Sequence, residues 1–134
     1  MSDRSRILVV EDNEANQMLT RAVLELEGFE VEVAGSAPEA LERIRERPPR
    51  MILMDIQLPG QDGLSFTKQL KGDPAYAMVP VVALTAHAMQ GDRELALRAG
   101  CIGYIAKPID TRTFGTAVSQ LLRMSDGDRR VAAT

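Results

Sequence analysis

The sequence predicts an α/β fold, a doubly wound five-stranded parallel sheet with strand order 2-1-3-4-5. Three observations predict it. Short β-branched runs alternate with helical patterns five times along the chain, and such alternation makes a parallel sheet with helices on both faces. Three of the runs are apolar throughout, as strands buried on both faces are. Reactive polar residues follow the runs, so in a parallel sheet they gather on one edge.

Taken in order, Ile7-Leu8-Val9-Val10 is the first apolar run and ends at Glu11-Asp12. Met18, Leu19, Ala22, Val23 and Leu26 recur at helical spacing, and Gly28 stops that helix. Val31 and Val33 alternate with Glu30 and Glu32, a strand with one wetter face. Ser36 and Glu39 form a capping box with Pro38 in the first turn. Ala37, Ala40, Leu41 and Ile44 give the second helix its apolar stripe, and Pro48-Pro49 ends it. Met51-Ile52-Leu53-Met54 is the third strand, ending at Asp55, and a loop with Pro59, Gly60 and Gly63 leads into a helix over about Leu64 to Lys71.

Val79 to Leu84 reads as the fourth strand, ending at Thr85, and a weakly amphipathic helix over about Met89 to Ala99 stops at Gly100. Ile102 to Ala106 is a short fifth strand followed by Lys107-Pro108. Asp110 is a cap for the last helix, whose apolar face is Phe114, Ala117, Val118, Leu121 and Leu122. Residues 1–124 are expected to form one domain and 125–134 a flexible polar tail. Right-handed crossovers limit the topologies. The order 2-1-3-4-5 puts the switch point, where ligands bind in such sheets, between strands one and three.

Composition narrows the function. A chain of 134 residues with 45% hydrophobic and 26% charged residues is one soluble domain's worth. With three Phe, two Tyr and no Trp, the core is aliphatic. The net charge of −3 gives no general attraction to nucleic acid or anionic membrane. No apolar run reaches the ~20 residues of a membrane span, and the first residues lack the apolar stretch of a signal peptide. The one cysteine, Cys101, reads as a buried small hydrophobe; a lone cysteine fits a reducing cytoplasm. Met18, Met51 and Met54 are expected in the core.

The strand ends carry the chemistry. Glu11, Asp12 and Asp55 converge, and three carboxylates in one pocket require protons or a cation. Hard oxygen donors without histidine or cysteine favour Mg²⁺. A carboxylate can itself attack phosphorus and become an aspartyl phosphate. The transferring group then needs a fixed cation, which Lys107 offers, and a hydroxyl, which Thr85 offers.

The stretches Ile7-Leu8-Val9-Val10-Glu11-Asp12-Asn13, Leu53 to Gly63, Ala83-Leu84-Thr85-Ala86 and Tyr104-Ile105-Ala106-Lys107-Pro108 together resemble the receiver domain of two-component response regulators, over about Arg6 to Arg123. The resemblance implies the flavodoxin-like, CheY-like (βα)5 arrangement. It implies that Glu11 and Asp12 hold Mg²⁺ (Mn²⁺ substituting), that Asp55 is phosphoacceptor and ligand, and that the Gln57 carbonyl completes the protein ligands. Lys107 would bind a phosphate oxygen, its bond to Pro108 being cis, the one kind of bond where cis is cheap. Thr85 and Tyr104 would form a conformational switch that alters the surface of helix four, strand five and helix five. Gln57 and His87 would flank the phosphoryl group and set its lifetime. The acidic pair is Glu-Asp rather than Asp-Asp; both occur in the family.

The expected function is a signalling switch of a bacterial two-component or phosphorelay system, not an enzyme beyond its own phosphoryl transfer and autodephosphorylation. Its donor would be a sensor histidine kinase or histidine phosphotransferase, and its downstream partner a protein. It would be cytoplasmic, without direct nucleic-acid or membrane contact, and a monomer or phosphorylation-dependent dimer. Met1 and the short tail favour a stand-alone chain. Two alternatives are weighed. A phosphorylation-independent interaction domain would not need the intact acidic, Thr and Lys positions. A Mg²⁺-dependent phosphohydrolase would need a second carboxylate just beyond Asp55, where Ile56 and Gln57 stand, and room for a cap.

Overall fold

The computed structural model describes residues 5–58, 60–86 and 90–133, and the side chains among these except those of Gln90 and residues 126–133. Ten elements alternate: β1 Arg6–Val10, α1 Glu14–Leu26, β2 Glu30–Ala34, α2 Ala37–Glu46, β3 Met51–Asp55, α3 Gly63–Lys71, β4 Val81–Thr85, α4 Gln90–Ala99, β5 Gly103–Ala106 and α5 Phe114–Ala133. The strands pair in parallel in the order β2-β1-β3-β4-β5. Fold class, strand order and the five alternations agree with the sequence reading. Among the described residues no helix is long and apolar enough to cross a membrane.

Alternate residues of each strand feed two cores. Ile7, Val9, Met51, Leu53, Val82 and Leu84 pack against Leu24 of α1 and Phe114, Val118 and Leu122 of α5. Leu8, Val10, Ile52, Met54, Val81 and Ala83 pack against Ala40 and Ile44 of α2, Phe66 and Leu70 of α3 and Ala96 of α4. The period of two in a strand sends successive side chains to opposite faces, so a wholly apolar strand is the one covered on both.

Local chemistry fixes the helix starts. Asn13 caps α1 by accepting from Asn16 N–H, Ser36 caps α2 by accepting from Glu39 N–H, and Asp62 caps α3 by accepting from Leu64 N–H. Glu39 reaches back to the Gly35 N–H at 2.9 Å, one residue before the cap, and not to the Ser36 N–H that a strict capping box would engage. At the β2 edge, Glu30 and Glu32 hold Arg47, Arg43 and Arg6; a charged edge resists pairing with another sheet.

Two expectations are corrected. Met18 is not core: it is 72% exposed, with Leu19 at 42% and Leu26 at 88%, while Met51 and Met54 are fully buried. The helix α1 packs through Thr20, Val23 and Leu24, so its most apolar stripe faces outward. The last helix does not stop near Met124 but runs to Ala133. Extending an existing helix adds one hydrogen bond per residue without a new nucleation cost, and Arg129, Arg130, Ala132 and Ala133 favour helix. Asp110 caps a turn one step earlier than expected: its carboxylate accepts from Arg112 N–H, and its carbonyl accepts from Thr113 and Phe114 N–H.

Candidate functional site

The carboxyl ends of β1, β3, β4 and β5 carry Glu11, Asp55, Thr85 and Lys107. The sheet ladder itself sets their positions. Glu11 N–H donates to the Ala34 carbonyl, Ile56 N–H to Leu84, and Lys107 N–H to Thr85. Each reactive residue is thus pinned by backbone at the last rung of its strand.

Lys107 joins two of the acids. Its Nζ lies 3.0 Å from Glu11 Oε1 and 2.9 Å from Asp55 Oδ2. Glu11, Asp55 and Thr85 are buried, at 2%, 3% and 2% exposure. The second oxygen of each acid is held by backbone: Glu11 Oε2 accepts from Asn13 N–H at 3.1 Å and Asp55 Oδ1 from Gln57 N–H at 2.9 Å. Burial pushes the Glu11 carboxyl above its ordinary range; the Lys107 hydrogen bond opposes this and the Asp55 charge adds to it. Burial alone would lower the Lys107 ammonium, but its hydrogen bonds to Asp55 and Glu11 outweigh that and raise it. Lys107 therefore carries a full charge in the physiological range.

Asp12 is exposed beside this pair. One carboxylate oxygen each from Glu11, Asp12 and Asp55 lies within 4.8 Å of the others. Two ligands at the 2.0–2.1 Å of an octahedral Mg²⁺ stand about 3 Å apart when adjacent and about 4 Å when opposite. Three hard oxygens at this spread, two buried and one open to water, suit a cation that keeps several waters.

Of the remaining sequence candidates, Gln57 enters through its N–H on Asp55. Tyr104 sits in β5, partly buried against the α2–α4 core. Its partner across the ladder is Ala83, and Ala106 pairs with Thr85, so Tyr104 and Thr85 share one sheet face. The Lys107-Pro108 bond is cis. His87 lies outside the described residues, as do Pro59 and Met89.

Three features escaped the sequence reading. Gln17 Nε2 donates to the Glu11 carbonyl at 2.5 Å, tying α1 to the acidic pair. Gly63 opens α3 against the phosphoacceptor: a Cβ there would lie 2.2 Å from the Asp55 carbonyl oxygen and 2.7 Å from Ile56 Cα. A groove of about 200 Å³ runs from Lys107 and Pro108 past Asn16, Leu19 and Thr20 of α1. Gln17 and Gly63 were visible as residue types, but neither contact follows from spacing.

Comparison with known proteins agrees with this geometry. The family model described as response regulator receiver domain matches residues 7–119. The polar-differentiation response regulator DivK of Brucella ovis is 45% identical over 116 residues, 87% of this chain and 94% of that relative. Among solved structures, the CheY-like receiver domain protein of Methanospirillum hungatei superposes with a TM-score of 0.84 at 28% identity, covering 94% of this chain and 99% of that one. The receiver domain of sensor histidine kinase PA1611 from Pseudomonas aeruginosa, solved with a magnesium ion coordinated in the active site cleft, gives 0.80 at 35% identity, covering 90% and 98%.

Proposed function

Because the chain belongs to the response regulator receiver family, a family of Mg²⁺-binding signalling domains rather than classical enzymes, we propose that it is a phosphorylation-activated switch in which Asp55 accepts a phosphoryl group from a phosphohistidine. The single observation that carries the reading is Lys107 bridging two buried carboxylates, Glu11 and Asp55, beside the exposed Asp12.

A carboxylate oxygen of Asp55 attacks phosphorus. The new O–P bond forms as the P–N bond to the donor imidazole breaks, and that nitrogen keeps the electron pair and takes up a proton. The fixed backbone donor at Gln57 holds Asp55 for in-line approach. Lys107 passes from the carboxylates to a phosphoryl oxygen, and the Thr85 hydroxyl donates to another. Glu11, Asp12, Asp55 and the Gln57 carbonyl would hold Mg²⁺, with Mn²⁺ as a substitute. When bound, the ion neutralises charge on the phosphoryl oxygens. Gln57 and His87 would tune the lifetime of the phosphoryl group.

The output follows from shared placement. Thr85 and Tyr104 face the same side of the sheet as α4, and only the small Ala83 stands opposite Tyr104 in the ladder. Drawing Thr85 toward a phosphoryl oxygen opens room into which the Tyr104 ring turns, and the α4–β5–α5 surface presented to a protein partner changes. Phosphate biases the two arrangements only through such differential contacts.

The outward stripe of α1 supports the choice of donor. Met18, Leu19 and Leu26 form an exposed apolar surface continuous, through Leu19, with the groove that ends at Lys107. A helix of a histidine kinase or phosphotransferase laid on α1 brings its imidazole to Asp55. In this reading the chain works in the cytoplasm, without direct nucleic-acid contact, as a monomer or phosphorylation-dependent dimer. The test compares donors. Met18→Glu should slow transfer from a phosphorylated histidine phosphotransfer protein while leaving the rate with acetyl phosphate unchanged, and amide exchange over residues 85–105 should change on phosphorylation. Equal slowing with both donors, or unchanged exchange, would count against the docking face or the switch respectively.

A further inference from the structure

The Arg93 guanidinium lies over the Tyr104 ring, with Cζ 5.3 Å from the ring centroid. That is inside the ~6 Å within which a cation is attracted to the face of an aromatic ring. Arg93 is exposed on α4. Three residues on, Ala96 is buried in the same core against which Tyr104 packs, so the two contacts fall on neighbouring turns of one helix flank. Among the described residues the guanidinium makes no ion pair, and it rests on the ring.

We propose that Arg93 is a latch on the switch, holding the Tyr104 ring where it lies beside α4 and setting how much of the protein adopts the inward arrangement before any phosphoryl group arrives. The inference rests on the reading above that Tyr104 turns inward with phosphorylation. A ring leaving for the space near Thr85 must leave the cation behind, so the cation–ring contact exists in one arrangement and not in the other. Only a contact with that asymmetry moves a two-state balance. The latch also spans two elements, because Arg93 belongs to α4 and Tyr104 to β5. Its release removes one tie between α4 and β5 at the same moment that the ring moves, which couples the helix to the switch. Arg93 is therefore a positioning residue: it touches neither the phosphoryl group nor the acids.

The sequence makes the test clean, since the chain has two tyrosines and no tryptophan. Full-length protein carrying 3-fluorotyrosine gives one fluorine resonance from Tyr104 and one from Tyr76, and Tyr76→Phe assigns them. The wild type, Arg93→Ala and Arg93→Lys are compared before and after treatment with acetyl phosphate and Mg²⁺, with intact mass reporting the adduct. The proposal expects the inward population of unphosphorylated Arg93→Ala to rise about two- to five-fold over wild type. Arg93→Lys keeps a cation but loses the planar, more weakly hydrated guanidinium, and should fall between. All three should converge once phosphorylated. A Tyr104 resonance that moves on phosphorylation of the wild type, yet has the same position and populations in unphosphorylated Arg93→Ala, overturns the latch and leaves the switch standing. A Tyr104 resonance that stays put in a wild type carrying the adduct overturns the switch and the latch with it.

Discussion

Replacing Lys107 by methionine removes the cation between Glu11 and Asp55 while keeping an unbranched apolar stem of similar reach. Both carboxylates are nearly inaccessible to water, and each has one oxygen on Nζ at 3.0 and 2.9 Å. Breaking a buried pair by deleting one partner costs about 3–5 kcal/mol, because the remaining charge is left buried and uncompensated. Here the Lys107 side chain is itself 19% exposed and the pocket opens toward Asp12, so water relieves part of the cost. The expected loss is at the lower end, about 3 kcal/mol. Against a domain stability of about 5–15 kcal/mol, the variant stays folded. At a urea dependence of about 1–3 kcal/mol per molar, its unfolding midpoint falls by about 1–3 M. The assay is urea unfolding with and without Mg²⁺. The ion replaces the lost positive charge, and a ligand at 100 times its dissociation constant adds about 2.7 kcal/mol. With no ammonium competing for the carboxylates, the variant gains more from Mg²⁺ than the wild type, and the deficit narrows. A deficit below about 0.5 kcal/mol in chelator, or one that Mg²⁺ leaves unchanged, would refute the idea that Lys107 holds together two otherwise repelling acids.

Other consequences are as direct. Gly63→Ala places a methyl against the backbone of Asp55 and Ile56, atoms that cannot rotate away; it should cost about 1–3 kcal/mol in urea unfolding and slow phosphorylation, although alanine favours helix intrinsically. Burial pushes the Cys101 thiol up to about 11, so a thiol reagent at neutral pH should label the native chain far more slowly than the unfolded one. The Glu11 carboxyl, raised above 4.5, takes up its proton early on acidification, so Mg²⁺ affinity measured by titration should begin to fall at a pH above 4.5. Lys107 is raised above 10.5 in the folded chain; its stabilisation is fully present below 10.5 and lost as the pH rises through the higher folded value, which unfolding curves in alkaline buffers without metal would show.

The centre of the sheet was legible because β1, β3 and β4 are covered on both faces. Runs such as Met51 to Met54 have no polar alternation to confuse with a helix, and each ends where the backbone leaves the sheet at an acid, a hydroxyl or an ammonium. The acidic cluster and Lys107 were legible for the same reason: strand ends in a parallel sheet converge, whatever their separation in sequence. The phase of α1 was not. Its richest apolar stripe, through Met18 and Leu26, faces out, and the side that packs uses Thr20 and Leu24. Periodicity finds an apolar face but does not say whether a core or a partner covers it. Gly63 and Gln17 were illegible because their value lies in one close approach and one hydrogen bond across the site, which no local pattern encodes. The Arg93–Tyr104 contact escaped likewise: it joins a helix flank to a strand, and its partners announce themselves only in three dimensions.

The central claim is that Asp55 takes a phosphoryl group in a site that needs a divalent cation. Intact mass after incubation with acetyl phosphate or phosphoramidate, for the wild type and Asp55→Asn, with Mg²⁺ or with chelator, tests it most directly. The account predicts a single added phosphoryl group, about 80 Da, in the wild type with Mg²⁺ and in no other sample. An adduct that persists in Asp55→Asn or in chelator, or a folded, Mg²⁺-bound wild type that gains no mass from either of these donors or from a phosphohistidine protein, would contradict it.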